Sequence, residues 1–267
     1  MHSGFNLAGG RARLLVFDLD GTLIDSVGDL ATAVNRLRHD HGLPPLPLDT
    51  VRGHVGDGIR QLVARSLPVR AGELDAAVRA FRGYYQRHLH DTTALYPGVA
   101  PGLRRLRAAG FQLAVVSNKL GPLCRALLDG LGVGAWFSCI VGDGDTARLK
   151  PDPAPLRAVM RRLRAAPADT WMIGDHHTDL EMARRAGVRS LFVTYGLGAA
   201  GAEKPTAQCA SFPEVVSRLL GPAFAPRRSA KSRSTAASGP GGATARRSRR
   251  TASTAVCRNA GAATRGR

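Results

Sequence analysis

Leu14-Leu15-Val16-Phe17-Asp18-Leu19-Asp20-Gly21-Thr22 is an apolar run that breaks into two carboxylates one residue apart, followed by a glycine and a hydroxyl. A short apolar stretch closed by a turn signal reads as a buried strand. Comparable runs recur at 112–117, 139–141, 171–174 and 190–195, with helical patterns between them. That alternation predicts a parallel sheet with helical crossovers. Four of the runs end at or just before a polar residue: Asp18, Ser117, Asp143 or Asp175. Ligands of open α/β sheets sit outside the carboxyl ends of the strands, so these residues are expected to share one site.

The rhythm breaks once. About ninety residues separate the first strand from the second, far more than a crossover helix needs. Within that gap Leu30, Val34 and Leu37 recur at helical spacing, as do Ile59, Leu62, Val63 and Leu67, and then Leu74, Val78, Phe81 and Tyr85. The expected fold is therefore α/β: a Rossmann-like parallel sheet core at 12–26 and 93–220, with an inserted α-helical cap domain at 27–92. The turn Gly53-His54-Val55-Gly56-Asp57-Gly58 opens a helix of that cap and can turn backbone N–H groups toward an anion.

A chain of 267 residues can build such a core without disulfides or a structural metal. Its cysteines, Cys124, Cys139, Cys209 and Cys257, are scattered, with no C-x-x-C pair, and read as reduced thiols. The net charge of +18 is uneven along the chain. Eleven of the 38 Lys/Arg and none of the 20 Asp/Glu fall at 221–267, which leaves 27 basic against 20 acidic residues elsewhere. That Ser/Ala/Gly/Arg-rich segment cannot bury enough apolar surface to order itself and is expected to be a disordered basic tail. Weak tail binding to nucleic acid is the only nucleic-acid contact anticipated. The first thirteen residues lack a secretory apolar stretch and no segment is apolar enough to span a bilayer, so no membrane association and a cytoplasmic location are expected.

Phosphoryl transfer needs a nucleophile, a proton donor for the leaving group and a cation among the phosphate oxygens. Asp18 can attack phosphorus without prior deprotonation, Asp20 can protonate the departing alkoxide and later activate water, and Gly21 suits a tight backbone approach. An isolated D-x-D also fits a capped turn. The Ser117 hydroxyl can bond a phosphate oxygen and Asn118 follows it, while the Lys150 ammonium, before Pro151, can offset charge. Asp175 and Asp179, four apart at a helix start, can present oxygens to one hard cation. His176 and His177 are adjacent and should diverge around a helix turn, which argues against a metal pair.

The run from Asp18 to Ser26, D-L-D-G-T-L-I-D-S, resembles the first motif of the haloacid dehalogenase superfamily, in the branch with a helical cap after the first strand. Ser117-Asn118, Lys150 and Asp175 to Asp179 follow in that family's order. The resemblance implies a magnesium-dependent phosphohydrolase acting through an aspartyl phosphate on Asp18. It also implies Mg2+ held by Asp18, the Asp20 main-chain carbonyl and Asp175, with Asp179 supporting that shell or Lys150. The cap segment Val51-Arg52-Gly53-His54-Val55-Gly56-Asp57-Gly58 and Thr194-Tyr195-Gly196 are similar to bacterial phosphoglycolate phosphatases, which implies hydrolysis of 2-phosphoglycolate to glycolate and phosphate. His54 and Arg60 are the cap residues expected to meet the non-phosphoryl end of this small phosphate ester. N-acetylmuramic acid 6-phosphate phosphatases, other small sugar-phosphate phosphatases and a capped phosphomutase are similar enough to stay open. A dehalogenase would need neither Asp20 nor Asp175, and a nucleic-acid-binding protein would rest on the tail alone. Oligomeric state is not legible in the sequence.

Overall fold

The residues of the opening run alternate between two apolar layers, Leu15 and Phe17 facing one and Leu14 and Val16 the other, all with no exposure. The structure, a computed structural model, describes residues 13–70 and 72–221. Among these the strands are β1 (Leu14–Phe17), β2 (Ile24–Asp25), β3 (Ala94–Leu95), β4 (Gln112–Leu120), β5 (Cys139–Asp143), β6 (Thr170–Gly174), β7 (Arg189–Val193) and β8 (Ala207–Cys209). Six of them form one sheet in the order β5-β4-β1-β6-β7-β8, every neighbour parallel. Helices cover both faces: α5 (Val99–Ala108), α6 (Gly121–Gly130) and α9 (Phe212–Leu220) one, α7 (Ala154–Arg162) and α8 (His177–Ala186) the other. Burial on both faces is why β1 reads as a continuous apolar run.

The remaining helices, α1 (Val27–Asp40), α2 (Leu48–Arg52), α3 (Ile59–Ser66) and α4 (Leu74–Arg87), lie between β2 and β3. This is the inserted helical cap. Val34, Leu37, Val63, Phe81 and Tyr85, all at the expected helical spacing, are at most 1 % exposed. Leu67 is a small correction: it is buried but lies just past α3, in extended backbone. The strand expected at 190–195 stops at Val193, while that expected at 112–117 runs on to Leu120.

Three short strands escaped the sequence reading. β8 extends the sheet edge, and β2 pairs antiparallel with β3, Ile24 against Leu95, where the chain leaves the core for the cap and returns. A buried carboxylate ties these two crossings together. Asp29, at the start of α1, accepts from the N–H and hydroxyl of Thr92 (2.8 and 2.6 Å) and of Thr93 (2.9 and 2.6 Å). Gly28 permits the approach, since a Cβ there would stand 2.4 Å from the Thr92 hydroxyl.

Cys124, Cys139 and Cys209 are buried thiols, and no helix among the described residues is long and apolar enough to cross a membrane. Apart from Gly221, the expected tail lies outside the described residues, as does Cys257.

Replacing Asp29 with Ala strands the Thr92 and Thr93 donors. Since bonds to a charged acceptor contribute about 1.5–3 kcal/mol each, and the threonines recover part of this from water, the net cost should be on the order of 3 kcal/mol. Urea unfolding of Asp29→Ala beside the parent protein measures it.

Candidate active site

The backbone ladder of β1 continues to Asp18, whose N–H donates to the Ile173 carbonyl (2.9 Å), so its carboxylate leaves the sheet at the carboxyl end. The chain then folds back sharply. Gly21 has a φ of 81°, and a Cβ there would lie 2.2 Å from an Asp175 oxygen, so glycine is required for conformation and for space alike. Thr22 donates its hydroxyl to Asp175 (2.8 Å), and Tyr195 donates to the Thr22 carbonyl (2.7 Å). The N–H groups of Leu197 and Gly198 complete the hold on Asp175, at 2.9 and 3.0 Å. The late Thr194-Tyr195-Gly196 segment thus belongs to the site's frame.

Lys150 sits between two carboxylates, its Nζ 2.7 Å from Asp18 Oδ1 and 2.7 Å from Asp179 Oδ1. Burial opposes its charge, but Asp179 and Asp18 outweigh burial and hold the ammonium protonated well above the usual lysine range. The other Asp179 oxygen accepts from the His176 N–H (3.2 Å), closing a capping box at the start of α8. Gly174 leaves room for it, because a Cβ there would meet Asp179 Oδ2 at 2.3 Å.

The Asn118 side chain is bonded to backbone. Its Oδ1 accepts from the Lys150 N–H (2.8 Å), and its Nδ2 donates to the carbonyls of Lys150 (3.1 Å) and Gly56 (3.2 Å). With the amide committed to backbone on both sides, the Asn118 side chain braces the lysine loop and the cap turn. Ser117 stays buried at the cleft floor beside Asp18.

A cleft of about 550 Å³, counting its part open to solvent, runs between core and cap. Asp18, Asp20 and Ser117 to Leu120 form its floor; Leu30, Val55, Ile59, Leu62 and Phe81 form an apolar roof. The basic group in this cleft is Lys119, which the sequence reading passed over. Its Nζ bonds both Asp20 oxygens (2.9 and 3.0 Å), and Ser26 donates to Asp20 Oδ1 (2.5 Å). The ammonium also lies 4.6 Å from the ring centre of Tyr85, whose buried hydroxyl has no well-formed hydrogen bond. Burial above all pushes that phenol up to about 12, so it stays protonated. A signal for Lys119 existed: a lysine inside an otherwise apolar strand, immediately after Ser117-Asn118.

Neither His54 nor Arg60 is among the residues that line the cleft. The His54 ring pairs with the Ser66 hydroxyl (3.0 Å), and Arg60 pairs with Asp75 on the exposed cap surface.

A family model described as haloacid dehalogenase-like hydrolase matches residues 15–193. The chain belongs to that family. Among this hydrolase's relatives, a phosphoglycolate phosphatase of Pseudomonas putida is 40 % identical over 206 residues, covering 73 % of this chain and 74 % of that protein. A phosphoglycolate phosphatase of Chromobacterium violaceum is 41 % identical over 190 residues, covering 69 % of this chain and 86 % of its own length. Of solved structures, a predicted phosphoglycolate phosphatase from Haemophilus somnus 129PT superposes with a TM-score of 0.73 at 28 % identity, over 79 % of this hydrolase and 99 % of that chain.

Carboxylate oxygens of Asp18, Asp175 and Asp179 lie within 4.8 Å of one another, all three residues at most 6 % exposed, with Lys150 as the cation that Asp18 and Asp179 share. Burial first and then the charge of Asp18 raise Asp175 to about 6, despite its three hydrogen-bond donors. An excess of buried negative charge with all-oxygen donors suits a hard divalent cation such as magnesium.

Because Asp175 is raised from 3.8 to about 6 in the folded protein, its contribution to stability is most favourable below pH 4 and declines as pH rises to about 6. In chelator-treated protein the Asp175→Asn variant should therefore gain on the parent across that window, by on the order of 2 kcal/mol. Paired thermal melts from pH 4 to 7 test this, and added Mg2+ should shrink the difference at pH 7 by stabilising only the parent.

Proposed function

We propose that this hydrolase is a magnesium-dependent phosphatase that cleaves 2-phosphoglycolate to glycolate and phosphate, with Asp18 as nucleophile. The observation that carries the reading is the buried Lys150 bridging Asp18, at the cleft floor, to Asp179 beneath it. Asp18 Oδ1 is taken by Lys150 and by the Leu19 N–H (2.7 Å), which leaves Oδ2 to attack phosphorus. As that bond forms, the ester P–O bond breaks and the leaving oxygen takes a proton from Asp20, which takes that proton up from solvent once Lys119 has moved off it. Asp20 then accepts a proton from the water that attacks the aspartyl phosphate, releasing inorganic phosphate and restoring Asp18. Ser117 and the main chain at Asn118 bind phosphoryl oxygens, and Lys150 keeps a positive charge beside them. Asp18, the Asp20 carbonyl, Asp175 and Asp179 would hold magnesium, which would supply charge stabilisation for those oxygens.

Lys119 gives the specificity reading its residue. A substrate carboxylate reaching its ammonium exchanges one ion pair for another and draws Lys119 from Asp20, clearing an Asp20 oxygen to meet the leaving group. Glycolate carries such a carboxylate; the relatives named phosphoglycolate phosphatase support this choice. The size and apolar roof of the cleft favour a second reading, the larger N-acetylmuramic acid 6-phosphate, which also bears a carboxylate.

Asp18→Asn should lose at least 1,000-fold in Mg2+-dependent phosphate release while its thermal melt stays near that of the parent, a loss of about 4 kcal/mol in transition-state stabilisation. Normal turnover by contaminant-free Asp18→Asn would disprove the covalent route. For Lys119→Met, KM should rise roughly tenfold or more for 2-phosphoglycolate relative to 2-hydroxyethyl phosphate, which lacks the carboxylate. Equal losses on both esters would confine Lys119 to orienting Asp20.

A further inference from the structure

Beside the acid cluster is a second group of ligating side chains of different chemistry. Asp57 in the cap turn and His176 and His177 at the start of α8 bring one ligand atom each to within 4.8 Å of one another. The two imidazoles do not diverge as adjacent helical residues would, because His176 is the N-cap, in extended backbone, and the ring centres lie 4.1 Å apart. The His176 ring is held in a slot between two glycines: a Cβ at Gly56 would stand 2.7 Å from its Nε2, and one at Gly198 would stand 2.5 Å from its Cδ2. Its Nδ1 already faces the Thr178 hydroxyl (3.0 Å), which turns Nε2 toward the cap turn. The same Nδ1 accepts from the Thr178 N–H (3.4 Å) in the capping box, so ligation through Nε2 takes the tautomer in which Nδ1–H donates to the Thr178 hydroxyl instead, the way ligating histidines are oriented. Asp57 is oriented in the same manner, since Arg65 bonds its Oδ2 (2.5 Å) and leaves Oδ1 for a ligand.

We propose that Asp57, His176 and His177 form a cation site for a borderline metal of the Zn2+ type, and that its occupancy fastens the cap turn to the core. Two nitrogens and one oxygen, with a fourth position for water, match the three-protein-ligand arrangement of open zinc sites. Imidazole donors prefer zinc to magnesium, whereas the three buried carboxylates prefer the reverse, so the two centres select different ions. Bond lengths near 2.1 Å place tetrahedral ligands about 3.4 Å apart, a contraction that side-chain rotation can supply. The partial positive charge at the N-terminus of α8 disfavours a cation on the histidines alone. The carboxylate of Asp57 is therefore needed, and it arrives only when the cap turn is seated. Binding free energy is thereby coupled to the seated cap, and zinc should slow any turnover that requires the cap to lift.

The test uses full-length protein stripped with chelator and then saturated with Mg2+ to fill the acid cluster. Zinc titrated against a competing chromophoric chelator should show one site with a Kd below about 10 µM, weakened at least tenfold in both Asp57→Asn and His177→Ala. Co2+ in place of zinc should give visible absorption bands in the parent that vanish in Asp57→Asn, a readout independent of substrate and of activity. Zinc should slow phosphate release by the parent, and His177→Ala should be relieved of that inhibition with its zinc-free rate unchanged. Parent-like zinc affinity in Asp57→Asn, or zinc binding lost in Asp175→Asn but kept in His177→Ala, would overturn the proposal. Either result leaves the phosphatase reading to be judged on Asp18→Asn.

Discussion

Lys150, buried between Asp18 and Asp179, is the contact on which the arrangement depends. Taking a carboxylate from water costs several kcal/mol even after relaxation, and here three converge below the cleft. One ammonium and a set of aimed donors offset that cost: Thr22 and two backbone N–H groups for Asp175, and the His176 N–H for Asp179. Those donors come from the ends of β1, β6 and β7, so the parallel sheet serves to bring four distant stretches of chain to one edge. The glycines are part of the same arrangement. Gly21 and Gly174 are positions where any side chain would collide with a carboxylate of the cluster.

What the sequence revealed and what it concealed follow from the range of each signal. β1 and the motif-bearing strands were legible because each carries its apolar run and its chemistry within a few residues. The cap helices were legible because Leu30, Val34, Phe81 and Tyr85 repeat at 3.6-residue spacing. β2, β3 and β8, two or three residues long, have no period to detect. That His54 and Arg60 lie outside the cleft lining was hidden for a related reason: periodicity finds the buried face of a helix, but not where the whole helix is set against the core. The bracing by the Asn118 side chain was hidden because its partners, Gly56 and Lys150, lie 62 and 32 residues away.

The cleft combines demands that pull apart. Its roof is apolar, from Leu30 to Phe81, while its floor holds Asp18, Asp20, Ser117 and Lys119. An apolar roof excludes water and strengthens every charge interaction beneath it. The Asp20–Lys119 pair keeps that floor neutral at its cap-facing side, so a substrate must supply its own charge to rearrange it.

The two crossings between core and cap are short, paired to each other, and laced by Asp29 to Thr92 and Thr93. A unit attached at a single doubled strap can be lengthened, trimmed or resurfaced at its far turns without disturbing the strand that ends at Asp18. For a lineage of enzymes this separates two rates of change: Asp18 and Lys119 are anchored in the core, while the shape of the roof over them can drift in the insert. New selectivity then becomes accessible through alterations around α3 and α4, with the phosphorus chemistry inherited whole.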